Sequence, residues 1–351
     1  MDTILDVVAK MRKVDPPLRY LEIGEDVGYG KFLEFDVGHW DGKPQIVPSE
    51  ALNLPGRAGH RSFLYRGQAV RYPSCKPSVL RGVADDERLI KAHLILERIR
   101  VAELELLFRD HPFSDVAASH GVRTDYHGLA QHYGIPTSLL NLTSNVEIAA
   151  FFAVARWDSE AQVFTPMEAG VGVRYRFDWT AFGPGYSRYF TPVGFGPGLQ
   201  PARQHAWTFM LQPGVDFEHV PHVAPIEFAH SARASAELFA NFGNGSWFYP
   251  PDCVASLVKK VRDLPFVTMR AIRHATFEDG KSADELVEDA ERSARFLSTT
   301  LGTKILDCYE LQLEDDDVEI SGQQAVDLDK AIRATRTGWR IIRERNSKQL
   351  I

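Results

Sequence analysis

A chain of 351 residues that is 44% hydrophobic and a quarter charged can bury a large core, as one elaborated domain or two smaller ones, and is not a disordered class of sequence. Its net charge of -7, with a pI near 6.0, excludes a global basic field, so any nucleic-acid binding must come from a local patch. Cys75, Cys253 and Cys308 are far apart and lack CxxC or Cys/His spacing, which excludes a zinc site or a disulfide framework; no metal is expected and the compartment reads as reducing.

The first residues mix acidic and basic groups through their apolar part and show no small-residue cleavage site, so no signal peptide is expected. No apolar run approaches the ~20 residues a membrane span needs, and a cytoplasmic protein is expected. Ile4, Val7, Val8 and Met11 fall at helical spacing, predicting a short amphipathic helix that Pro16 and Pro17 end and that packs on the outside. Tyr20 to Ile23 and Lys31 to Val37 predict a hairpin around a glycine-rich turn.

Residues 62–70, SFLYRGQAV, predict a strand carrying Arg66. An arginine near a core strand either pairs with a carboxylate, for which Glu147 is available, or awaits an anion that suits its two-pronged guanidinium. Residues 86–108 repeat apolar positions at three and four, from Leu89 to Leu107, and predict a long scaffold helix. The histidines at 111, 120 and 127 lack metal-ligand spacing.

The organising stretch is Tyr126 to Ala155, YHGLAQHYGIPTSLLNLTSNVEIAAFFAVA. Gly134 marks a helix end and Pro136 prevents resumption, so the order is helix end, turn, short strand, helix. Ser144 or Asn145 can cap the second helix, with Glu147 in its first turn. Asn141, Thr143 and Ser144 therefore fall at a strand end facing a helix N-terminus, a place suited to a phosphate or sugar hydroxyl.

Downstream, residues 170–177 alternate as a strand whose Arg174 and Arg176 share one face, expected to be half solvated. Residues 182–201, rich in Gly, Pro and aromatics, predict a long non-helical binding loop or lid. Residues 202–212 predict a strand, 231–239 and 255–261 helices, and 266–271 a strand. From Ser282 an exposed amphipathic helix and an acidic loop follow. A last helix then places Arg333, Arg336, Arg340 and Arg343 on one stripe, a candidate RNA or DNA contact or a partner for the acidic segment.

YRGQ (Tyr65 to Gln68), PSVLRG (Pro77 to Gly82) and LAQHYGIPTSLLNLTSNVEIAAFFA (Leu129 to Ala153) together resemble the FRG domain, a bacterial family named for a Phe-Arg-Gly motif. The chain departs from its usual pattern at Ser138, Asn141 and Leu142, where the family usually has Arg, Asp and Trp. The layout is in turn similar to ADP-ribosyltransferases of the Arg-Ser-Glu type. The expected fold is α+β, with a mixed or antiparallel β core similar to that family's split sheet, Arg66 and Thr143 on adjacent strands and helices around it, and the change of character at Ser282 adds a helical C-terminal appendage. The implied division is an N-terminal extension over 1–55, an FRG-like core over 56–281 and the appendage over 282–351.

The same resemblance implies NAD as substrate and a protein or nucleic-acid acceptor, in a setting such as a bacterial toxin or an anti-phage effector. Arg66 would hold the pyrophosphate, Tyr65 or Tyr133 would stack on nicotinamide, and Thr143, with Asn141 or Ser144, would take the Ser/Thr strand beside Gln204. Gly67, Gln68, Gln131 and His132 complete the expected binding set. In place of the third-strand Glu stands Gln204, whose amide carries no charge to stabilise an oxocarbenium-like state; Asp216, Glu218 and Glu227 are acidic alternatives nearby. The alternative is a non-catalytic nucleotide- or RNA-binding module that uses the Arg66 pocket.

Overall fold

The computed structural model describes residues 2–14, 20–21, 32–48 apart from 34 and 41–42, and 63–311 apart from 110, 120–123, 159, 162, 179–180, 182–188, 194–198, 250–252, 278–279 and 310. The arginine stripe at 333–343, the acidic segment at 313–320 and most of the glycine-rich loop lie outside the described residues.

The described helices are α1 (Ile4–Val14), α2 (Glu87–Phe108), α3 (Pro112–Ser119), α4 (Tyr126–His132), α5 (Val146–Val154), α6 (Leu199–Arg203), α7 (Ala232–Asn241), α8 (Cys253–Arg262), α9 (Met269–Thr276) and α10 (Ala283–Leu301). Two N-terminal pairs, β1 (Tyr20–Leu21) with β2 (Phe32–Leu33) and β3 (Phe35–Trp40) with β4 (Lys43–Pro48), are antiparallel. Then come β5 (Phe63–Gln68), β6 (Leu139–Thr143), β7 (Ala155–Asp158), β8 (Val163–Pro166), β9 (Val171–Asp178), β10 (Phe190–Pro192), β11 (Ala206–Met210), β12 (Val223–Ala229), β13 (Phe266–Thr268) and β14 (Lys304–Leu306). The fold is mixed α and β around an antiparallel sheet of six strands in the order β10-β11-β6-β5-β9-β12.

Alternation along the strands gives the sheet two buried faces. On one, Leu64, Leu140, Leu142, Val173, Tyr175, Phe177, Trp207 and Phe209 form an apolar layer with Phe217. On the other, Tyr65 packs under α5 through Ala149, Ala150 and Ala153, with Phe228 and the α7 residues Ala234 and Leu238.

The first helix lies on this second face rather than on the outside. Its Ile4, Val7, Val8 and Met11 are all buried there, because the stripe that makes α1 amphipathic meets the apolar side of α5 and α7. Consequently Arg174 and Arg176 do share a face, but it is covered at Arg174 and only partly open at Arg176. The guanidinium of Arg174, with no exposed surface, lies 4.9 Å from the Tyr65 ring centroid and touches the Met11 sulfur, and Arg176 lies over Phe63.

Three further expectations change. The segment read as non-helical contains a strand at Phe190–Pro192 and ends in helix α6, since Leu199, Gln200 and Pro201 open a turn in which proline needs no N–H partner. The strand beginning at Phe266 stops at Thr268, whose hydroxyl caps α9 by accepting from Ala271 N–H. A second, helical core joins α2, α9 and α10 through Ile99, Ala102, Val267, Ile272, Ala290 and Leu297, so α10 is buried along one side rather than exposed. Reciprocal Ser282 and Glu285 bonds start α10, and left-handed Gly302 ends it. No helix among the described residues is long and apolar enough to cross a membrane.

Candidate functional site

The site begins at a break in sheet pairing. Strand β5 pairs with β9 along its whole length, from Phe63 to Gln68, but with β6 only where Tyr65 faces Thr143. Beyond that point β5 and β6 diverge, and Arg66 reaches across the gap to donate from Nη1 to the Asn141 carbonyl at 2.9 Å. Gly67 explains the aromatic-Arg-Gly order. A Cβ there would sit 1.9 Å from the Ala149 carbonyl oxygen, so only glycine lets the α5 backbone close over the strand.

A cavity of about 200 Å³ occupies the divergence, lined by Tyr65, Arg66, Gly67, His132, Asn141, Leu142, Thr143, Ala149, Phe152, Gln200, Gln204 and Tyr249. None of these residues is a carboxylate. Among the described residues no acidic group pairs with Arg66, and its buried Nε has no hydrogen-bond partner. The Glu147 pairing considered from sequence is not formed. The buried Asn141 Oδ1 and Gln204 Nε2 likewise lack hydrogen-bond partners. Burial pulls the His132 pKa down to about 4, against smaller opposing contributions from the Gln204 side chain and the Trp207 backbone, so the imidazole is neutral at pH 7. Tyr249 is 40% exposed; burial raises its phenol's pKa, against a smaller opposing contribution from the Gln204 side chain. Arg81, from the PSVLRG segment, has its pKa lowered by burial first and by the Arg66 charge second. The local field is therefore positive in a chain of net negative charge.

Thr143 closes the far wall. Its hydroxyl donates to the Gln204 carbonyl at 2.7 Å and accepts from Asn145 N–H at 3.1 Å, while the Asn145 side chain caps α5 through Glu147 and Ile148 N–H. Gln204 is not on a third strand. It occupies the turn after α6, and β11 starts only at Ala206. Asp216, Glu218 and Glu227 are not in the lining either. Asp216 accepts from Cys75 and Glu218 N–H, and Glu218 and Glu227 both grip Arg71.

Several expected site residues instead hold the walls together. Gln131 Oε1 accepts from Ser78 at 3.3 Å and from Thr137 at 2.5 Å, fastening the PSVLRG and QHYGIPT segments to each other. The Gln68 amide reaches Cys75 Sγ, and its carbonyl oxygen lies 3.2 Å from the Tyr175 hydroxyl. Tyr133 is buried with its hydroxyl 3.4 Å from Gln200 N, and Ser144 N–H donates to the His205 carbonyl. Tyr65, Arg66, Gly67, His132, Asn141, Thr143 and Gln204 meet at the cavity; Gln68, Gln131, Tyr133 and Ser144 stand behind it. Ser138 donates from both N–H and Oγ to the buried Glu97 carboxylate, which also meets His127 Nε2 at 2.5 Å.

Phe152, Gln200 and Tyr249 were not singled out from sequence. Phe152 sits in an apolar run that reads as core, and Gln200 in a segment read as loop. Tyr249 lies beyond every recognised motif and reaches the cavity only through the tertiary fold.

The chain matches no curated protein and no solved structure. Residues 61–162, which carry Arg66, His132, Asn141 and Thr143, match the family model of the FRG domain, and this match places that stretch in the FRG domain family.

Proposed function

We propose that the cavity between β5 and β6 binds a phosphate-bearing nucleotide, with Arg66 as the anion-holding group. The observation that carries this reading is the uncompensated charge of Arg66. A partly buried guanidinium whose Nε is fully enclosed without a partner is favoured by something negative, and the cavity supplies neutral hydrogen-bonding groups but no carboxylate. An incoming phosphate would accept from Arg66, while Asn141 and Gln204 suit ribose hydroxyls or an amide. At about 200 Å³ the cavity is below the ~300–1,000 Å³ usual for whole small molecules, so it takes one phosphate- or ring-sized part and leaves the rest outside.

NAD-dependent ADP-ribosyl transfer to a protein or nucleic-acid acceptor is the second reading. The divergence of β5 from β6, with Arg66 and Thr143 on its two sides, favours it. Gln204 weighs against it, because a neutral amide supplies little stabilisation to an oxocarbenium-like transition state.

Calorimetric titration of the purified chain with NAD, beside Arg66→Ala and Arg66→Lys, separates the readings. Saturable binding that Arg66→Ala weakens at least tenfold, with no nicotinamide released, is the expected result. Release of nicotinamide that Arg66→Ala abolishes would establish transfer instead. No binding by the intact protein would overturn the nucleotide reading.

A further inference from the structure

The cavity mouth continues into a set of exposed aromatic rings. Tyr249, a lining residue, stacks on Phe164 with centroids 5.3 Å apart and planes 30° from parallel, and its ring lies 6.1 Å from Trp157. Trp157 pairs with Phe164 across the β7–β8 hairpin at 4.8 Å, and Phe164 in turn lies 6.2 Å from the lining Phe152. Trp157 is 44% exposed and Tyr249 40%. Large rings held rigidly by one another yet left open to water are a costly arrangement for a surface and a ready one for a flat ligand. Arg203, one residue from Gln204, lies over the half-exposed Trp247 at 5.0 Å, two residues before Tyr249 in the chain.

We propose that Trp157, Phe164 and Tyr249 form a base-stacking subsite for the nucleotide whose phosphate is held at Arg66. The inference rests on the nucleotide-binding reading and adds where the base goes. The cavity is too small for a whole nucleotide, so the base has to lie outside it, and the exposed rings begin at its rim. A free nucleotide is favoured over a nucleic-acid strand because the chain's net charge of -7 repels a polyanion that must lie along the surface, whereas one or two phosphates need only the local field of Arg66 and Arg81.

The test compares base-bearing and base-free probes. Affinities for NAD and for inorganic pyrophosphate are measured on the full chain, on Trp157→Ala and on Trp157→Phe, with circular dichroism as the fold control. Stacking on an aromatic ring changes affinity by about five- to 150-fold per base. Trp157→Ala should therefore weaken NAD about tenfold and leave pyrophosphate unchanged, and Trp157→Phe should recover most of the loss. Unchanged NAD affinity in Trp157→Ala, or equal losses for both probes, would overturn the stacking subsite. If wild type binds pyrophosphate but NAD no more tightly, the subsite falls and the Arg66 anion site stands. If it binds neither, the nucleotide reading itself falls. A single-stranded oligonucleotide that binds through Trp157 more tightly than NAD would overturn the assignment to a free nucleotide.

Discussion

Gly67 and Ala149 are in backbone contact: a Cβ on the glycine would lie 1.9 Å from the Ala149 carbonyl oxygen and 2.5 Å from the Ala153 nitrogen. Neither obstacle is the movable end of a side chain, so Gly67→Ala has to push α5 off the strand beside the cavity. Overpacking of this kind costs about 3 kcal/mol or more. The variant should melt roughly 10 °C lower than wild type, or fail to accumulate. Gly134→Ala is the contrasting case. Gly134 has φ +89° and its Cβ would approach only the end of Arg262, so the cost is the left-handed backbone alone, about 1–2 kcal/mol. Thermal unfolding of the two variants side by side checks the order.

Thr143 joins three parts of the site through one hydroxyl, donating to the Gln204 carbonyl and accepting from Asn145 N–H. Thr143→Val keeps the shape and removes both bonds, leaving a buried carbonyl and a buried N–H short of a partner. A loss of about 2 kcal/mol in urea unfolding is expected, with NAD binding weakened severalfold as Gln204 loosens. Thr143→Ser, which keeps the hydroxyl, should restore both. Loss of binding in the serine variant as well would mean that the methyl group, not the hydroxyl, sets the wall.

The N-terminal half of the site was legible because local signals and tertiary outcome agree there. Gly134 does take a left-handed φ, Asn145 does cap α5, and Arg66 and Thr143 do fall on adjacent strands. Two of the failures share one cause. Periodicity says which residues lie on one face but not what covers that face, so α1 was expected outside and Arg174 beside water, when each covers the other. Gln204 was expected on a third strand because the resemblance put that strand's residue there, but the chain turns at His205, whose φ is +46°, and β11 starts only at Ala206. Tyr249 carried no signal, since the third ring of the Trp247-Phe248-Tyr249 run after a Gly-rich turn reads as surface or core equally well.

Tyr175 tests whether the polar network behind the cavity is structural. Its hydroxyl donates to Glu218 at 2.6 Å, and Glu218 also holds Arg71. Burial raises the Glu218 pKa, but the bonds from Arg71 and Tyr175 outweigh it and leave the carboxyl below its usual range. Tyr175→Phe removes one of those bonds while the ion pair remains, so a loss of about 1–2 kcal/mol is expected. Because Tyr175 does not line the cavity, nucleotide affinity should not change. A tenfold drop in affinity at unchanged fold would place Tyr175 in the binding site.

Acidification should unfold the protein through its buried histidines. Burial depresses both His132 and His205 from 6.5 to about 4. Below pH 6.5 the unfolded chain binds protons that the folded chain refuses, so stability is full above that pH, falls as pH drops from 6.5 to 4, and levels off below. The two shifts correspond to about 3 kcal/mol per histidine as an upper figure. Glu103 acts with the opposite sign, because burial raises its carboxyl pKa despite the Thr268 bond, and it returns some stability as pH falls toward 4.5. Urea midpoints at pH 7, 6, 5 and 4 for wild type and His132→Asn isolate the contribution of His132. The variant should be less sensitive to pH between 6.5 and 4 and parallel to wild type above 7. Equal slopes in the two proteins would mean that water reaches His132 in the folded state, and the cavity would then be wetter and less selective for a tightly held anion than its lining implies.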